Sequence, residues 1–119
     1  MNLGAFGEAW AVGYLTRRGY RIVDRNVRYR VGEIDIVARD GEELVFVEVK
    51  CRRSARYGAP EDSIDLRRYR RLEQAILQYL AERQLAPPSY RVDVVAIEVD
   101  GRGAVSRCEL LQGVEPPAS

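Results

Sequence analysis

The chain has 119 residues, 46% of them hydrophobic and 31% charged. That supplies one ordinary core and excludes a second, so a single domain over 1–119 is expected, with its core over about 4–112 and a flexible tail over 113–119. Nineteen basic residues against 18 acidic ones leave a formal charge of +1, and histidine is absent; affinity for a polyanion must therefore come from charge arrangement, and Ser-His-Asp or Cys-His nucleophiles, His-ligated zinc and an imidazole base are excluded.

The first ten residues, MNLGAFGEAW, lack a basic segment followed by an apolar run, and no apolar stretch approaches the ~20 residues that span a bilayer. A cytoplasmic protein without membrane contact is expected. Leu3, Phe6, Trp10, Gly13 and Tyr14 recur at helical intervals up to Arg18, and Gly19 suits a left-handed cap. Residues 20–27 read as a first strand, and Arg28-Tyr29-Arg30-Val31 leads into Gly32. Two β-rich runs, 33–38 and 44–50, flank Asp40-Gly41, a strong hairpin signal. Residues 54–61 hold Gly58 and Pro60 and read as loop. A helix over 63–85 follows, capped by Asp62 or Ser63, with Tyr69, Leu72, Ile76, Tyr79 and Leu80 as its apolar stripe and Pro87-Pro88 beyond its end. Residues 90–99 read as a buried strand, 100–103 as a turn and 104–111 as a final strand. The order α-β-β-β-α-β-β predicts an α/β three-layer domain, a mixed five-stranded sheet flanked by helices.

Eighteen of the 19 basic residues are arginine and one is Lys50. A lysine is a compact ammonium that can orient water or offset developing charge, so the lone one is a candidate for chemistry; a stem packed along a strand is the competing explanation. Its setting, Val49-Lys50-Cys51, excludes a phosphate-binding P-loop. Cys51 and Cys108 are far apart with no C-x-x-C spacing, which argues for two free thiols rather than a zinc knuckle or disulfide framework.

If the chain folds back symmetrically about Asp40-Gly41, Glu33 faces Glu48 and Asp35 faces Phe46. Residues 33, 35, 46, 48 and 50 then share one face, opposite Ile34, Ile36, Val45, Val47 and Val49. Asp35 and Glu48 become diagonal neighbours with Cβ atoms about 7 Å apart, able to share one divalent ion, with Lys50 on the same side. Three carboxylates on one face require a cation among them, and an oxygen-only donor set suits Mg²⁺ or Mn²⁺ acting on a phosphodiester. A solvent-facing hairpin with a Glu-Lys pair produces the same alternation, but Leu44 and Phe46 on this face partly cover it, and covered charges need partners.

An aspartate followed on the next strand by Glu-x-Lys resembles the nuclease signature of the restriction-endonuclease-like superfamily. The fuller set, Gly7-Glu8, Gly19-Tyr20, Gly32-Glu33-Ile34-Asp35, Val45-Phe46-Val47-Glu48-Val49-Lys50 and Arg91-Val92-Asp93-Val94-Val95, looks like the YraN family, uncharacterised protein family 0102, itself similar to archaeal Holliday-junction resolvases. The match covers about residues 4–99. It implies the restriction-endonuclease-like fold, Asp35 and Glu48 as metal ligands, and Lys50 as the residue that positions the attacking water or offsets phosphate charge. Glu8 corresponds to an additional acidic residue of such nucleases, or else complements the helix dipole from the first turn. Glu33 either points into the site as a further ligand or is replaced there by water. Asp93 lies in a block of the family pattern, or is a buried aspartate paired with an arginine. The superfamily's proline before the aspartate is replaced by Ile34. Junction-resolving nucleases are usually two-fold symmetric, so the resemblance also leaves room for a homodimer.

Charge is divided along the chain. Six arginines stand against Asp24 between Arg17 and Arg30, Arg28 and Arg30 among them; between Lys50 and Arg71 eight basic residues, including Arg52 and Arg53, stand against Glu61, Asp62 and Asp65. Arg67, Arg68, Arg70 and Arg71 occupy the N-terminal half of the second helix, where the dipole disfavours cations and a phosphate backbone would favour them. Tyr29, Tyr57 and Tyr69 are interspersed and offer stacking surfaces, Tyr69 also suiting the helix core. A solvated arginine-rich face is the plainer reading. The expectation is an Mg²⁺- or Mn²⁺-dependent endonuclease-like protein acting on DNA phosphodiesters, with branched or junction DNA preferred to plain duplex; the alternative is a non-catalytic nucleic-acid-binding module of the same fold.

Overall fold

In a computed structural model, described for residues 2–53, 58–87 and 89–118, helix α1 (Leu3–Arg17) precedes strands β1 (Arg21–Arg28), β2 (Glu33–Asp40) and β3 (Glu43–Arg52). A 3₁₀ turn (Pro60–Ser63), helix α2 (Leu66–Glu82) and strands β4 (Tyr90–Val99) and β5 (Val105–Leu111) follow. The five strands form one sheet in the order β1-β2-β3-β4-β5, with β3 and β4 parallel and all other neighbours antiparallel. The expected mixed sheet and flanking helices are therefore present. Residues 54–57, Tyr57 among them, the first half of the expected 54–61 loop, lie outside the described residues.

Consecutive side chains of a strand point to opposite faces, and β3 divides its apolar residues accordingly. Val45 and Val47 join Ala11 and Leu15 of α1 in one core; Leu44 and Phe46 join Tyr69, Leu72, Ile76 and Tyr79 of α2 in the other. Covered on both sides, β3 and β4 are nearly continuous apolar runs, as a central parallel pair requires.

Several local expectations shift. The hairpin turns at Gly41-Glu42, with Asp40 facing Glu43, rather than about Asp40-Gly41. Gly41 has φ +62° and Glu42 no positive φ, the pattern of a II′ turn, which needs glycine at its first central position. The buried stripe of α1 is Gly7, Ala11 and Leu15, while Trp10 is 38% exposed. The small residues face the sheet because the helix lies close to it: a Cβ on Gly7 would stand 2.7 Å from Cys51 Cβ. The N-cap of α2 is Asp65, whose carboxylate accepts the Arg68 N–H at 2.8 Å, in place of Asp62 or Ser63, which belong to the 3₁₀ turn. Past β5 the chain is still held, Gly113 N–H donating to Asp93 and Val114 N–H to the Val92 carbonyl, so the first two residues assigned to a tail are anchored.

Gly32, between β1 and β2, touches the backbone of α2. A Cβ there would lie 2.3 Å from the Arg71 carbonyl oxygen, a clash that only movement of the helix relieves. Gly32→Ala is expected to cost about 3 kcal/mol in urea unfolding, at the upper end for overpacking; a loss under about 1 kcal/mol would show that α2 is not seated on this contact.

Candidate active site

The β2–β3 ladder extends from the turn to the pair Ile36–Val47 and then opens. β3 continues alongside β4 as far as Arg52, while β2 continues alongside β1 as far as Glu33. Asp35 is the first β2 residue past the last pair, and its Oδ2 accepts the Val49 N–H at 2.8 Å, bridging the opening. Across β1 it stands opposite Asn26, whose φ of +53° breaks the extended backbone. Asparagine is among the few residues that tolerate this conformation. The alternation of β2 breaks at the same point: Ile36 packs on the α1 side and Ile34 on the α2 side, so the expected common face for Ile34 and Ile36 does not exist.

The flat carboxylate face expected from the sequence is instead a fork with two clefts. The first, about 410 Å³, runs beneath the first turns of α1 and is lined by Asn2, Gly4, Glu8, Asp35, Lys50 and Arg68, among others. The second, about 280 Å³, lies against α2 and is lined by Arg28, Tyr29, Glu48, Arg68, Arg71 and Leu72, among others. Arg28, Glu33 and Arg68 border both.

Glu48 is 5% exposed, and one of its oxygens, Oε1, receives Lys50 Nζ at 3.1 Å and an Arg68 guanidinium nitrogen at 3.0 Å. A buried carboxylate is tolerated when paired in this way. Asp35 has no ion pair among the described residues. Its carboxyl is pushed up to about 7, first by burial, then by the charge of Glu48 and more weakly by Glu33 and Glu8, while the Val49 N–H opposes the shift. Glu8 is held by Arg25 at 3.5 Å and Glu33 by Arg28 at 3.8 Å. The first turn of α1 contains no acidic residue, so the dipole explanation for Glu8 does not apply.

The fork thus gathers Asp35, Glu48, Lys50, Glu8 and Glu33 around two clefts. Its donors are all carboxylates, and Asp35 is buried beside the charge of Glu48 with no ion pair of its own among the described residues, a chemistry that fits a hard divalent ion such as Mg²⁺ or Mn²⁺. Among the described residues no three acidic or sulfur side chains already converge as a coordination set, and Glu48 Oε1 is taken by the two cations.

Of the arginines expected to meet a phosphate backbone, Arg28, Arg68 and Arg71 border the clefts; Arg30, Arg53, Arg67 and Arg70 are exposed and Arg52 half-buried, and none of these five lines either cleft. Tyr69 is core, 6% exposed with its hydroxyl on the Val114 carbonyl, whereas Tyr29 forms a cleft wall. Asp93 is fully buried and bound to Arg91, Tyr20 and the Gly113 N–H, the structural alternative of the sequence reading. Sequence reasoning missed Arg25, which holds Glu8, and Asn26, whose Oδ1 accepts from Arg28 Nε at 3.0 Å. An asparagine inside a strand-like run was the available signal for the second. No helix among the described residues is long and apolar enough to cross a membrane.

The family model described as "Uncharacterised protein family UPF0102" matches residues 7–97, which include Glu8, Asp35, Glu48, Lys50 and Asp93. A UPF0102 protein of Symbiobacterium thermophilum is 48% identical over 111 residues, covering 93% of each chain. One of Moorella thermoacetica is 46% identical over 110 residues, covering 92% of each, and one of Geobacter sulfurreducens is 48% identical over 97 residues, covering 82% of this chain and 76% of its own. With the family pattern covering most of α1, strands β1 to β3, α2, most of β4 and every carboxylate of the fork, the chain belongs to uncharacterised protein family UPF0102.

Proposed function

We propose that this protein is a metal-dependent endonuclease acting on DNA phosphodiesters, with branched or junction DNA as the preferred class. The observation that carries the reading is the opening of the β2–β3 ladder, which places Asp35 and Lys50 in one arginine-bordered cleft and Glu48, paired with Lys50, on the wall of the adjoining one. Asp35 and Glu48, with Glu8 or Glu33 in support, would hold Mg²⁺ or Mn²⁺; the ion, when bound, supplies electrostatic stabilisation of charge on the phosphate. Lys50, 12% exposed and fixed on Glu48, presents its ammonium at the same point and offsets phosphate charge or orients water. Arg28, Arg68 and Arg71 guide the strand along the clefts, and Tyr29 offers a stacking face. The fork resembles the Asp…Glu-x-Lys arrangement of restriction-endonuclease-like nucleases, which supports the reaction class.

The second reading, a non-catalytic nucleic-acid-binding module, is favoured by the pairing of Glu48 Oε1 with two cations. Mn²⁺ titration calorimetry separates the two. The nuclease reading expects one Mn²⁺ per chain, lost in Glu48→Ala together with cleavage of labelled flap and junction DNA; absence of Mn²⁺ binding in the intact protein, with salt-sensitive DNA binding retained, selects the module. Both readings place Arg71 on phosphate. Arg71→Ala is expected to make the dependence of log affinity on log salt shallower by about 0.9 on duplex DNA, the value of one lost phosphate contact; an unchanged slope would remove Arg71 from the interface.

A further inference from the structure

The fork distributes its cations unevenly. Glu48 Oε1 receives two, and Asp35, the other carboxylate at the opening, receives none among the described residues. The two cations on Glu48 also differ in freedom. Lys50, on β3, is 12% exposed; Arg68 is 49% exposed and stands in the first turn of α2. The cap of that helix uses the Arg68 backbone N–H, not its side chain, so the guanidinium can leave Glu48 with the Asp65 cap intact. Arg68 borders both clefts, where a phosphate entering along either would meet it.

Resting on the reading of the fork as a metal and nucleic-acid site, we propose that Arg68 couples the two ligands: in the free protein its guanidinium holds Glu48 in place of a divalent ion, and nucleic-acid phosphate draws it away and releases Glu48 to the metal. A guanidinium 3.0 Å from a ligand oxygen repels an incoming dication and occupies the lone pair it needs. Phosphate competes for the same fork of donors with equal geometry. Lys50 stays on Glu48 throughout, so the carboxylate is never left buried without a partner. Linkage makes the effect reciprocal: the factor by which nucleic acid strengthens metal binding is the factor by which metal strengthens nucleic-acid binding. Arg71 provides the control, because it lines the α2 cleft without pairing to Glu48.

The experiment is Mn²⁺ titration followed by electron paramagnetic resonance, with and without a short phosphorothioate duplex, on the intact protein and on Arg68→Ala, Arg68→Gln, Arg71→Ala and Asp35→Asn. The intact protein is expected to gain about 10-fold in Mn²⁺ affinity when the duplex is present, within the usual range of a coupled pair of sites. Arg68→Ala and Arg68→Gln are expected to bind Mn²⁺ about 10-fold more tightly than the intact protein without DNA, and to gain little from it. Arg71→Ala should weaken the duplex while keeping the intact protein's Mn²⁺ affinity in its absence. If both Arg68 variants bind Mn²⁺ no more tightly than the intact protein while Asp35→Asn abolishes binding, the coupling is overturned and the metal site stands. If none of the proteins binds Mn²⁺ in either condition, the fork reading falls and the coupling with it.

Discussion

Asp93→Ala is expected to cost about 3–5 kcal/mol in urea unfolding, the sum of two buried donors left unsatisfied at about 1–3 kcal/mol each and of the cavity left behind. Asp93 is fully buried and accepts four hydrogen bonds: its Oδ1 from Arg91 Nε at 2.9 Å and Gly113 N–H at 3.0 Å, its Oδ2 from the Tyr20 hydroxyl at 2.6 Å and a second Arg91 nitrogen at 3.0 Å. The connections are long in sequence, since Tyr20 follows α1, Arg91 and Asp93 lie on β4, and Gly113 follows β5. Burial first and then the bond to Asp93 push the Tyr20 phenol above its ordinary range, so the hydroxyl remains a donor at neutral pH. Arg91 would keep Asp40 and Glu43, both at the rim of the sheet, so the Arg91 charge is not stranded by the substitution; the loss comes from the Tyr20 hydroxyl and the Gly113 N–H left without an acceptor, and from the cavity. Urea midpoints followed by far-ultraviolet circular dichroism give the value directly. A loss under about 1 kcal/mol would mean that the network is replaceable by water, and would reopen a functional role for Asp93.

The second large effect is dependent on pH. The Asp35 carboxyl is raised to about 7 in the folded, metal-free protein, against about 3.9 in an unfolded chain. Between those values the folded state holds a proton that the unfolded state has released, so stability falls as pH rises through this window. The contribution is complete below about pH 4 and lost above about pH 7. Asp35→Asn keeps an oxygen to accept the Val49 N–H and has no proton to lose. The variant is therefore expected to be more stable than the intact protein by about 2–4 kcal/mol at pH 8 in EDTA, and nearly equal to it at pH 4. Denaturant titrations at the two pH values, run on both proteins, isolate this residue from the other carboxylates. Equal differences at both values would show that Asp35 ionises at an ordinary carboxylate pKa and that the fork carries no electrostatic strain.

The parts of the molecule written in local pattern were legible in the sequence. Alternation gave the strands, and the strongly one-sided apolar stripe of α2 gave its buried face through Tyr69, Leu72, Ile76 and Tyr79. The first helix has apolar or small residues on every side, so periodicity could not show that Gly7, Ala11 and Leu15, rather than Trp10, meet the sheet; only the spacing between helix and strand decides that. The spacing of Asp35, Glu48 and Lys50 predicted that these three residues lie near one another, and they do. A turn displaced by one residue moves every facing pair by two positions and leaves the parity intact as far as the ladder runs, to Ile36–Val47; past it, Asp35 meets β3 through the Val49 N–H instead. The fork itself was not legible. It depends on β3 exchanging β2 for β4 as its partner and on the positive φ of Asn26, neither of which a single strand's pattern encodes. Arg68 was visible as a basic residue but not as the partner of Glu48, a contact between residues 20 positions apart that exists only when α2 is docked.

The most direct test of the fork as a hydrolytic site is cleavage of labelled single-stranded, duplex, flap and four-way-junction DNA in Mg²⁺, Mn²⁺ or EDTA, beside an identically purified Lys50→Ala protein. Lys50 is the one lysine of the chain and touches Glu48 without being a ligand, so its removal should not abolish Mn²⁺ binding while lowering the cleavage rate by about 100-fold or more, the usual loss for one group that stabilises transition-state charge. The expected result is metal-dependent cleavage, greatest on flap or junction DNA and absent in EDTA, that falls to background in Lys50→Ala. No cleavage of any substrate, or cleavage undiminished by Lys50→Ala, would contradict the assignment.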